Sequence, residues 1–380
     1  MTSSTEEFAT NLSYFVSLLG ELGLSKSVSR RATQYGLGLF ADEDIALGSL
    51  ILAENPIAFV YDSELLSNSW SKDDGSDSWG LSLAVCRSGV LSETLNLHPR
   101  DPVRGLQCPT LPESLRASFN MSDEELALLL TRVSLNSFGT GSFPEFLNTK
   151  ISDSGTGLYP TAALLDHSCV PNVFRYSLDK TLVMRAARDI QKNEQLFISY
   201  IPNESLNEVK EVRAGIIRHR DFECSCAGCR ENHAKFSRPS AQRETLNFAT
   251  LAQLNQLTAK ERFENISEYL DIKIPCDSEK VVDTLISNNP LALGDIMTLL
   301  VSRAVNSCDL EISCWELALR FAKQILPPYD FTIAVLIFHT CRVSGHPMTQ
   351  VEEFCQKYLN LDAGDVAKLF QFELALSEIH

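Results

Sequence analysis

Three cysteines within six residues give the sequence its strongest chemical signal. Cys224, Cys226 and Cys229 follow the pattern C-x-C-x-x-C, which would place three thiolates on one short loop. A structural zinc ion takes four ligands in a tetrahedron at Zn–S distances of about 2.3 Å, so one more ligand must come from elsewhere. Cys169, inside a His-Ser-Cys run, is our candidate because it would tie the loop to the strand-rich part of the chain. We therefore predict a structural zinc site.

The same spacing admits other kinds of site. A C-x-x-C pair can be redox-active, but that assignment normally requires a thioredoxin-like βαβ context, which the flanking sequence lacks. A zinc hydrolase needs histidine or carboxylate ligands and an open position for water, which a four-sulfur site does not provide. The remaining cysteines stand singly among apolar or loop residues and are interpreted as small buried side chains: Cys86, Cys108, Cys276, Cys308, Cys314, Cys341 and Cys355.

A second group of chemically capable residues lies between residues 35 and 200. The run from Asp166 to Asn172 reads Asp-His-Ser-Cys-Val-Pro-Asn, and Tyr200 ends an apolar, strand-like run. A phenol at a strand end suits an active site, although a lone tyrosine in this setting is more often part of a core. The turn Gly36-Leu37-Gly38 can be an ordinary hairpin, because it lacks the helix and acidic residue of a dinucleotide fingerprint.

Composition and charge limit the classes of function. The chain has 380 residues, enough for two domains of ordinary size. It carries 33 basic and 49 acidic residues, a net charge of −16, and no run rich in lysine or arginine. We therefore expect no direct binding to nucleic acid. An acidic surface suits a basic protein substrate, and it equally keeps a cytosolic protein in solution.

Membrane insertion and secretion are also disfavoured. No stretch approaches the ~20 apolar residues that a membrane span requires. The first residues lack the basic flank and unbroken apolar core of a secretory signal. We expect an intracellular protein, in the cytoplasm or the nucleus, whose cysteines are reduced or metal-bound.

The candidate site residues fall in a strand-rich region that precedes a helical one. Apolar residues at helical spacing predict an N-terminal helix within residues 1–29. Strand-like runs predict a β-rich domain over 30–202, with an insertion at about 62–150 in which Ser122 is a candidate helix cap. Residues 203–236 hold a helix and the cysteine loop, and residues 240–380 are predicted to form an all-helical domain.

Taken in chain order, these runs resemble the SET-domain lysine methyltransferases, and most closely their SET-and-MYND branch. The matching stretches extend from about Arg30 to Cys229, roughly half the chain. They are Gly36–Ala41, Glu54–Pro56, Leu135–Phe138, Gly157–Pro160, Asp166–Asn172, Phe197–Tyr200 and Phe222–Cys229. Chance does not explain so many agreements in this order and at these separations.

The resemblance implies an α+β fold, in which small β-sheets of the SET-domain β-clip wind around a pseudo-knot and are followed by a post-SET zinc loop and a helical C-terminal domain. It makes Tyr200 the catalytic tyrosine. It implies S-adenosylmethionine as the methyl donor and assigns to it Gly36, Leu37, Gly38, Asn136, Asp166, His167 and Phe222. The zinc ion, held by Cys169, Cys224, Cys226 and Cys229, would be a structural clip that folds the post-SET loop over the lysine channel.

The activity implied by the resemblance is protein-lysine N-methylation. The methyl group of S-adenosylmethionine would pass to the side-chain amine of a lysine in a histone tail or another protein. The expected partner is therefore a protein with an exposed lysine. Neither nucleic acid nor membrane is an expected partner, and the chain is expected to be a monomer.

Three features depart from the family pattern. Asp166 replaces the usual asparagine, and a carboxylate can accept a hydrogen bond from the donor's ammonium group but cannot donate as an amide does. Asn193 replaces a glycine, at a position where asparagine tolerates a left-handed backbone. Between Phe59 and Asn136 there are two cysteines, too few for a MYND zinc finger. Because Asp166 departs from the family pattern at the methyl-donor site, the alternative function is a catalytically weak or inactive zinc-binding scaffold for protein interactions.

Overall fold

A computed structural model of the chain shows two compact units. It describes residues 17, 19, 22–33, 36–67, 77–97, 111, 113–140, 155–178, 180–206, 210–220, 222–230 and 311–366. Within these ranges the first unit runs to Asp166 and continues over Asn172–Ile198. The second unit consists of His167–Pro171 and the described residues between Ser199 and Val366. The division therefore falls inside the run that carries several candidate site residues.

Short strands are distributed along the described part of the first unit. In chain order they are β1 Gly23–Leu24, β2 Val28–Thr33, β3 Gly36–Ala41, β4 Leu50–Glu54, β5 Ala58–Tyr61, β6 Ser137–Thr140, β7 Gly155–Leu158, β8 Asp166–His167, β9 Val173–Leu178, β10 Thr181–Ala186 and β11 Phe197–Ile198. Ten of these strands, β2 to β11, lie within residues 30–202 or overlap that range, where strand-like runs predict a β-rich region.

The described strands form several small sheets. One is ordered β1-β4-β10-β9 and another β5-β7-β6, while β2 pairs with β3 and β8 with β11. The pairs within the first three of these sheets are antiparallel. All six residues of β10 are buried, and Ile51, Leu52 and Ala53 of the adjacent β4 are 0% exposed. The core of this unit therefore lies along a pair of strands that are far apart in sequence.

Helices fill the stretch between β5 and β6. They are α1 Asp62–Ser67, α2 Asp77–Ser88, α3 Glu113–Arg116 and α4 Asp123–Asn136. The predicted cap at Ser122 is confirmed: its hydroxyl accepts from the Glu125 N–H, and the Glu125 carboxylate accepts from the Ser122 N–H. Such a capping box stabilises a helix start by about 1 kcal/mol. A buried apolar cluster that includes Leu81 and Val133 joins α2 to α4.

Two predicted boundaries differ from the positions of the described strands. Most of the helix predicted within residues 1–29 lies outside the described residues, but Gly23–Leu24 and Val28–Thr33 are strands. Gly23 has a φ of 130°, which is incompatible with a helix, so a helix does not extend to residue 29. The insertion predicted at about 62–150 is too long, because Ser137–Thr140 pairs with β7. A strand of four residues shows too little alternation to be recognised from the sequence.

The described part of the second unit is mainly helical. Its helices are α5 Lys210–Ile217, α6 Ala227–Arg230, α7 Glu311–Ile325, α8 Phe331–Ser344 and α9 Thr349–Leu359. Asp330 caps α8 by accepting a hydrogen bond from the Thr332 N–H at 2.9 Å. The same carboxylate also accepts from the Asn203 side-chain amide at 2.7 Å. Gly345, with a φ of 68°, ends α8. Residues 311–366 thus agree with the predicted helical domain, whose other residues lie outside the described ranges.

A stacked pair of rings lies in the core of these helices. Trp315 of α7 and His339 of α8 have ring centroids 4.4 Å apart at an interplanar angle of 11°. The side-chain nitrogens of both residues are buried and have no hydrogen-bond partner. Burial, assisted by the charge of Arg342, lowers the pKa of His339 to about 3, so its ring is neutral.

Among the described residues, no helix combines the length and apolarity needed to cross a membrane.

Candidate active site and metal centre

Four cysteine side chains converge in the second unit. The Sγ atoms of Cys169, Cys224, Cys226 and Cys229 all lie within 4.8 Å of one another. The Cys169 Sγ is 3.6 Å from that of Cys229 and 4.0 Å from that of Cys224. Sulfurs bound to one zinc ion at about 2.3 Å are about 3.8 Å apart in a tetrahedron. The donor type and spacing therefore fit zinc, and the structure brings Cys169 to the three loop cysteines.

Backbone geometry shapes the cysteine loop. The Cys229 N–H donates to the Cys226 carbonyl at 3.0 Å, which opens α6. The Cys169 N–H donates to the Cys226 Sγ at 3.4 Å, and such a bond favours the thiolate. A Cβ at Gly228 would lie 3.2 Å from the Val170 Cγ1. The loop therefore approaches the residues after β8 so closely that a side chain at Gly228 has little room.

Three of these thiols, those of Cys169, Cys224 and Cys226, perturb one another's protonation. Hydrogen bonds with Cys169 and Cys224 lower the pKa of Cys226. Hydrogen bonds with Cys224 and Cys226, together with burial, raise the pKa of Cys169. Without a cation, the cluster favours a thiolate among neutral thiols. A divalent metal ion makes four thiolates compatible with burial, as structural zinc sites require.

Arg213 places a positive charge beside the cysteine cluster. Its side chain is 1% exposed, and Nη2 lies 3.6 Å from the Cys229 Sγ and 3.3 Å from the Gly228 carbonyl oxygen. A buried guanidinium is costly unless an anionic partner compensates it. Four thiolates on a zinc ion carry a net charge of about −2, which supplies that partner. Arg213 is not among the predicted site residues. The sequence pattern that could have indicated its burial is its position four residues before Ile217, on the same face of α5.

His167 lies between the cysteine cluster and Tyr200. Its Nδ1 accepts a hydrogen bond from the Tyr200 backbone N–H at 3.0 Å, and its Nε2 lies 3.4 Å from the Cys169 Sγ. Because Nδ1 accepts, the neutral ring carries its proton on Nε2, directed at the sulfur. Burial lowers the pKa of His167 to about 4; Cys226 opposes this shift, and Arg220 and Arg213 reinforce it. The ring is therefore neutral near pH 7.

Tyr200, His167 and Phe222 form an aromatic cluster. The ring centroids of His167 and Tyr200 are 5.3 Å apart, and Phe222 lies 6.0 Å from His167 and 6.3 Å from Tyr200. Phe222 is 39% exposed, an unusually large fraction for an aromatic side chain. The structure thus brings three predicted site residues together.

Arg220 joins this aromatic cluster without having been predicted. Its guanidinium carbon lies 4.6 Å from the centre of the Tyr200 ring. In the sequence it belongs to an Arg-His-Arg run, a pattern typical of a solvated surface. Its half-buried position on the tyrosine follows from tertiary packing, which that pattern does not indicate.

The predicted glycine turn lies in the first unit, at the start of β3. Gly36 has a φ of 133°, which side chains rarely adopt. A Cβ at Gly38 would lie 2.8 Å from the Thr33 Cγ2 and 3.0 Å from the Gln195 Nε2, so the hairpin requires a glycine there. Leu37, between them, is 37% exposed.

Asp166 lies next to the same glutamine. The Gln195 Nε2 donates to the Asp166 Oδ2 at 2.7 Å. Burial raises the pKa of Asp166, and this hydrogen bond acts in the opposite direction. Gln195 therefore lies beside Gly38 and supplies a donor to the carboxylate that replaces the usual asparagine. Gln195 is not among the predicted site residues, and no pattern around it distinguishes it.

Two further asparagines from the sequence analysis, Asn136 and Asn193, differ in their structural settings. Asn136 is buried at the end of α4, where its Nδ2 donates to the Arg132 carbonyl of the same helix at 2.7 Å. Its assignment to the methyl donor stays a prediction. Asn193 has a φ of 68°, which confirms the left-handed backbone expected where the family pattern has glycine.

Asn172 fixes the chain before β11. It is fully buried, and its Nδ2 donates to the Glu194 Oε1 and the Gln195 carbonyl, each at 2.9 Å. Its Oδ1 accepts from the Phe197 N–H at 2.7 Å. The last residue of the Asp166–Asn172 run is therefore structural and ties that run to the strand that precedes Tyr200.

Comparison with known proteins identifies the domain. Residues 36–201 match the family model described as the SET domain. The N-lysine methyltransferase SMYD2-B of Xenopus laevis is 25% identical over 228 residues, which cover 56% of this chain and 48% of that protein. The histone-lysine N-methyltransferase SMYD3 of Homo sapiens is 27% identical over 184 residues, which cover 48% of this chain and 40% of that protein. The chain thus spans about half the length, or less, of the curated relatives it matches.

The similarity to solved structures is weaker. One match is the crystal structure of the SET domain of LSMT bound to lysine and AdoHcy. The match covers 53% of this chain and 55% of that chain, at 12% identity and a TM-score of 0.28. That score is too low to bear on the assignment. The family match, by contrast, encloses the glycine turn, the Asp166–Asn172 run and Tyr200. Residues 36–201 therefore match the SET domain, and the chain resembles the SET-and-MYND branch of lysine methyltransferases.

Proposed function

We propose that the chain is an S-adenosylmethionine-dependent protein-lysine N-methyltransferase. The observation that carries the proposal is the aromatic cluster of His167, Tyr200 and Phe222, which His167 connects to the cysteine cluster. The family resemblance assigns catalysis and methyl-donor binding to these same residues. The SET-domain match and relatives named as lysine methyltransferases also support it.

The proposed reaction is a displacement at carbon. S-adenosylmethionine supplies a methyl group on a positively charged sulfur. The neutral lysine amine forms a bond to that carbon as the carbon–sulfur bond breaks, and the proton lost beforehand from the ammonium goes to water. No strong base is required, so alignment accounts for much of the acceleration. We assign that alignment to the Tyr200 hydroxyl, and an apolar lysine channel would favour the uncharged amine by desolvation.

The proposed donor-binding residues are those that the family resemblance assigns. They are Gly36, Leu37, Gly38, Asn136, Asp166, His167 and Phe222. The Asp166 carboxylate can accept from the ammonium group of the donor's amino-acid part. Because Gln195 donates to Oδ2, we assign that bond to Oδ1.

We propose that Cys169, Cys224, Cys226 and Cys229 hold a structural zinc ion. Four sulfur ligands leave no position for water, so the metal takes no part in methyl transfer. The cluster instead fixes the loop that begins at Phe222. The 3.4 Å approach of the His167 Nε2 to the Cys169 Sγ extends this restraint towards Tyr200.

The proposed substrate is a lysine in a histone or another protein. The net charge of −16 favours a basic protein partner and disfavours nucleic acid. We propose that the chain acts as a monomer in the cytoplasm or the nucleus, without membrane contact.

Methyl labelling tests this function. The purified chain would be incubated with methyl-labelled S-adenosylmethionine and either core histones or a proteome extract. We expect labelled protein, and we expect Tyr200→Phe to reduce the label by about 100-fold or more. Tyr61→Phe is the matched control, because the Tyr61 ring lies on β5 and faces the Lys180 ammonium at 4.4 Å. Absence of label with the wild-type chain would count against the proposal.

Asp166 favours a second candidate, a SET-fold scaffold that does not turn over. Its carboxylate already has a donor in Gln195 and replaces the amide of the family pattern. Calorimetry with S-adenosylmethionine separates the two candidates, because a scaffold does not need the methyl donor. Saturable binding supports the enzyme, whereas no heat of binding supports the scaffold.

A further inference from the structure

Arg220 brings a positive charge to the proposed catalytic tyrosine. Its guanidinium carbon lies 4.6 Å from the centre of the Tyr200 ring, within the range of a cation–π contact. His167 and Phe222 also border that ring, at 5.3 and 6.3 Å between centroids. The tyrosine is therefore bordered by two aromatic rings and one cation.

This arginine keeps its charge in that position. Burial lowers the pKa of Arg220 and the nearby Tyr200 opposes the shift, but a guanidinium stays protonated in proteins. The contact with the ring also suits its function as a support, because a guanidinium is weakly hydrated and packs favourably on an aromatic face. Arg220 thus combines a fixed charge with a restraint on the phenol.

Other ionisable groups of the second unit affect the field at Tyr200. His167 borders the ring and is neutral, since burial holds its pKa near 4. Beyond it lie the thiols of the cysteine cluster and Arg213, which contacts the Cys229 Sγ at 3.6 Å. The charge of Arg213 faces an anionic partner in the metal-loaded cluster, whereas the guanidinium of Arg220 lies on the ring itself.

A positive charge at this position has a consequence for methyl transfer. A lysine arrives as an ammonium and must become neutral before it can attack. A nearby like charge disfavours the ammonium form and lowers its pKa. Two unit charges several ångströms apart in a partly buried site interact by an amount equivalent to roughly one pKa unit.

We infer that Arg220 is a positioning residue that restrains the Tyr200 ring by its cation–π contact and, through its charge, allows the substrate lysine to lose its proton at a lower pH. This inference rests on the proposed methyltransferase function. It adds a residue that the SET-family resemblance does not assign.

The test is the pH profile of methyl transfer in three variants. Arg220→Met removes the charge and keeps an unbranched chain, Arg220→Lys keeps the charge, and Arg218→Met removes a charge from the exposed neighbour in the same turn. The substrate is the protein most strongly labelled by the wild-type chain. Rates would be measured from about pH 7 to about pH 10, the range in which a lysine titrates.

We expect Arg220→Met to shift the alkaline rise of kcat/KM upward by about one pH unit, and to recover much of its loss at the highest pH. We expect Arg220→Lys and Arg218→Met to keep the wild-type inflection. Zinc content and thermal midpoint would establish that each variant is folded.

Two outcomes overturn the inference and are distinct from each other. If the wild-type chain labels no protein, the proposed function fails and the role of Arg220 fails with it. If the wild-type chain is active and a folded, zinc-containing Arg220→Met has an unshifted profile or no activity at any pH, the charge of Arg220 is not what the reaction uses.

Discussion

The backbone N–H of Tyr200 donates a hydrogen bond to the Nδ1 of His167 at 3.0 Å. The other nitrogen of the same ring lies 3.4 Å from the Cys169 Sγ. One neutral imidazole thus connects the proposed catalytic tyrosine to the proposed metal cluster. Partners of this kind orient functional groups, and their loss commonly costs 10- to 100-fold in activity or metal affinity.

We predict that His167→Ala lowers kcat by about 10- to 100-fold, because Tyr200 loses its backbone partner. The four cysteines remain, so bound zinc should stay near one ion per chain. Steady-state kinetics and metal analysis of the same sample measure both effects. A variant with wild-type kcat would show that the link does not position Tyr200.

Cys169→Ser is predicted to weaken zinc binding most directly, since Cys169 lies apart in sequence from the loop trio but within 4.8 Å of all three sulfurs. A serine oxygen is a poorer zinc ligand than a thiolate. We expect zinc content to fall well below one ion per chain and the thermal midpoint to drop. Cys86→Ser, at a half-buried cysteine of α2, is the control that should keep its metal. Equal zinc in both variants contradicts the assignment of Cys169.

Arg213→Met is predicted to speed the release of zinc. The guanidinium 3.6 Å from the Cys229 Sγ offsets the negative charge of a thiolate-bound metal, and removing it should weaken zinc binding by about 10- to 100-fold. Competition with a chromogenic chelator measures this, with Arg87→Met at an exposed position of α2 as the control. Unchanged zinc affinity in Arg213→Met would mean that the arginine is only a packing residue.

His339→Phe is predicted to stabilise the protein and to reduce its sensitivity to acid. Both ring nitrogens of His339 are buried without partners, so an apolar ring of similar shape should raise the unfolding free energy by about 1–3 kcal/mol at pH 8. Phenylalanine can also keep the stacking on Trp315.

The pH dependence at His339 has a definite sign. The pKa of this ring falls from 6.5 to about 3 on folding, so below pH 6.5 protons bind the unfolded chain first. The stability of the wild-type chain should therefore be highest above 6.5 and be lost as the pH falls towards about 3. The loss is at most about 1.4 kcal/mol per pH unit.

Unfolding of wild type and His339→Phe between about pH 8 and about pH 5 checks both expectations, because their difference should widen as the pH falls. His346→Phe, at an exposed histidine after α8, should not reproduce the effect. A constant difference across this range would show that His339 does not titrate as described.

The sequence predicts the site where short runs combine residue type with spacing. The cysteine loop and Cys169 belong to this class, because each lies in a run that the family pattern contains. Ser122 also belongs to it, since a capping box is a local signal that extends over four residues.

The sequence does not predict interactions that depend on tertiary packing. Arg213 and Arg220 are charged residues in a helical stretch, where the usual environment is solvent, and only the folded structure shows them against sulfur and an aromatic ring. The bond from Gln195 to Asp166 joins residues that are 29 positions apart. The same limit explains the missed strand Ser137–Thr140, whose identity depends on its pairing with β7.

Mapping the transferred methyl group tests the central claim most directly. A protein labelled by the purified chain would be digested, and the labelled amino acid identified by mass spectrometry, in parallel for wild type and Tyr200→Phe. We predict methyl groups on the side-chain nitrogen of lysine with the wild-type chain and at most about one hundredth as many with the variant. Label on another residue type, or equal label from both proteins, would contradict the account.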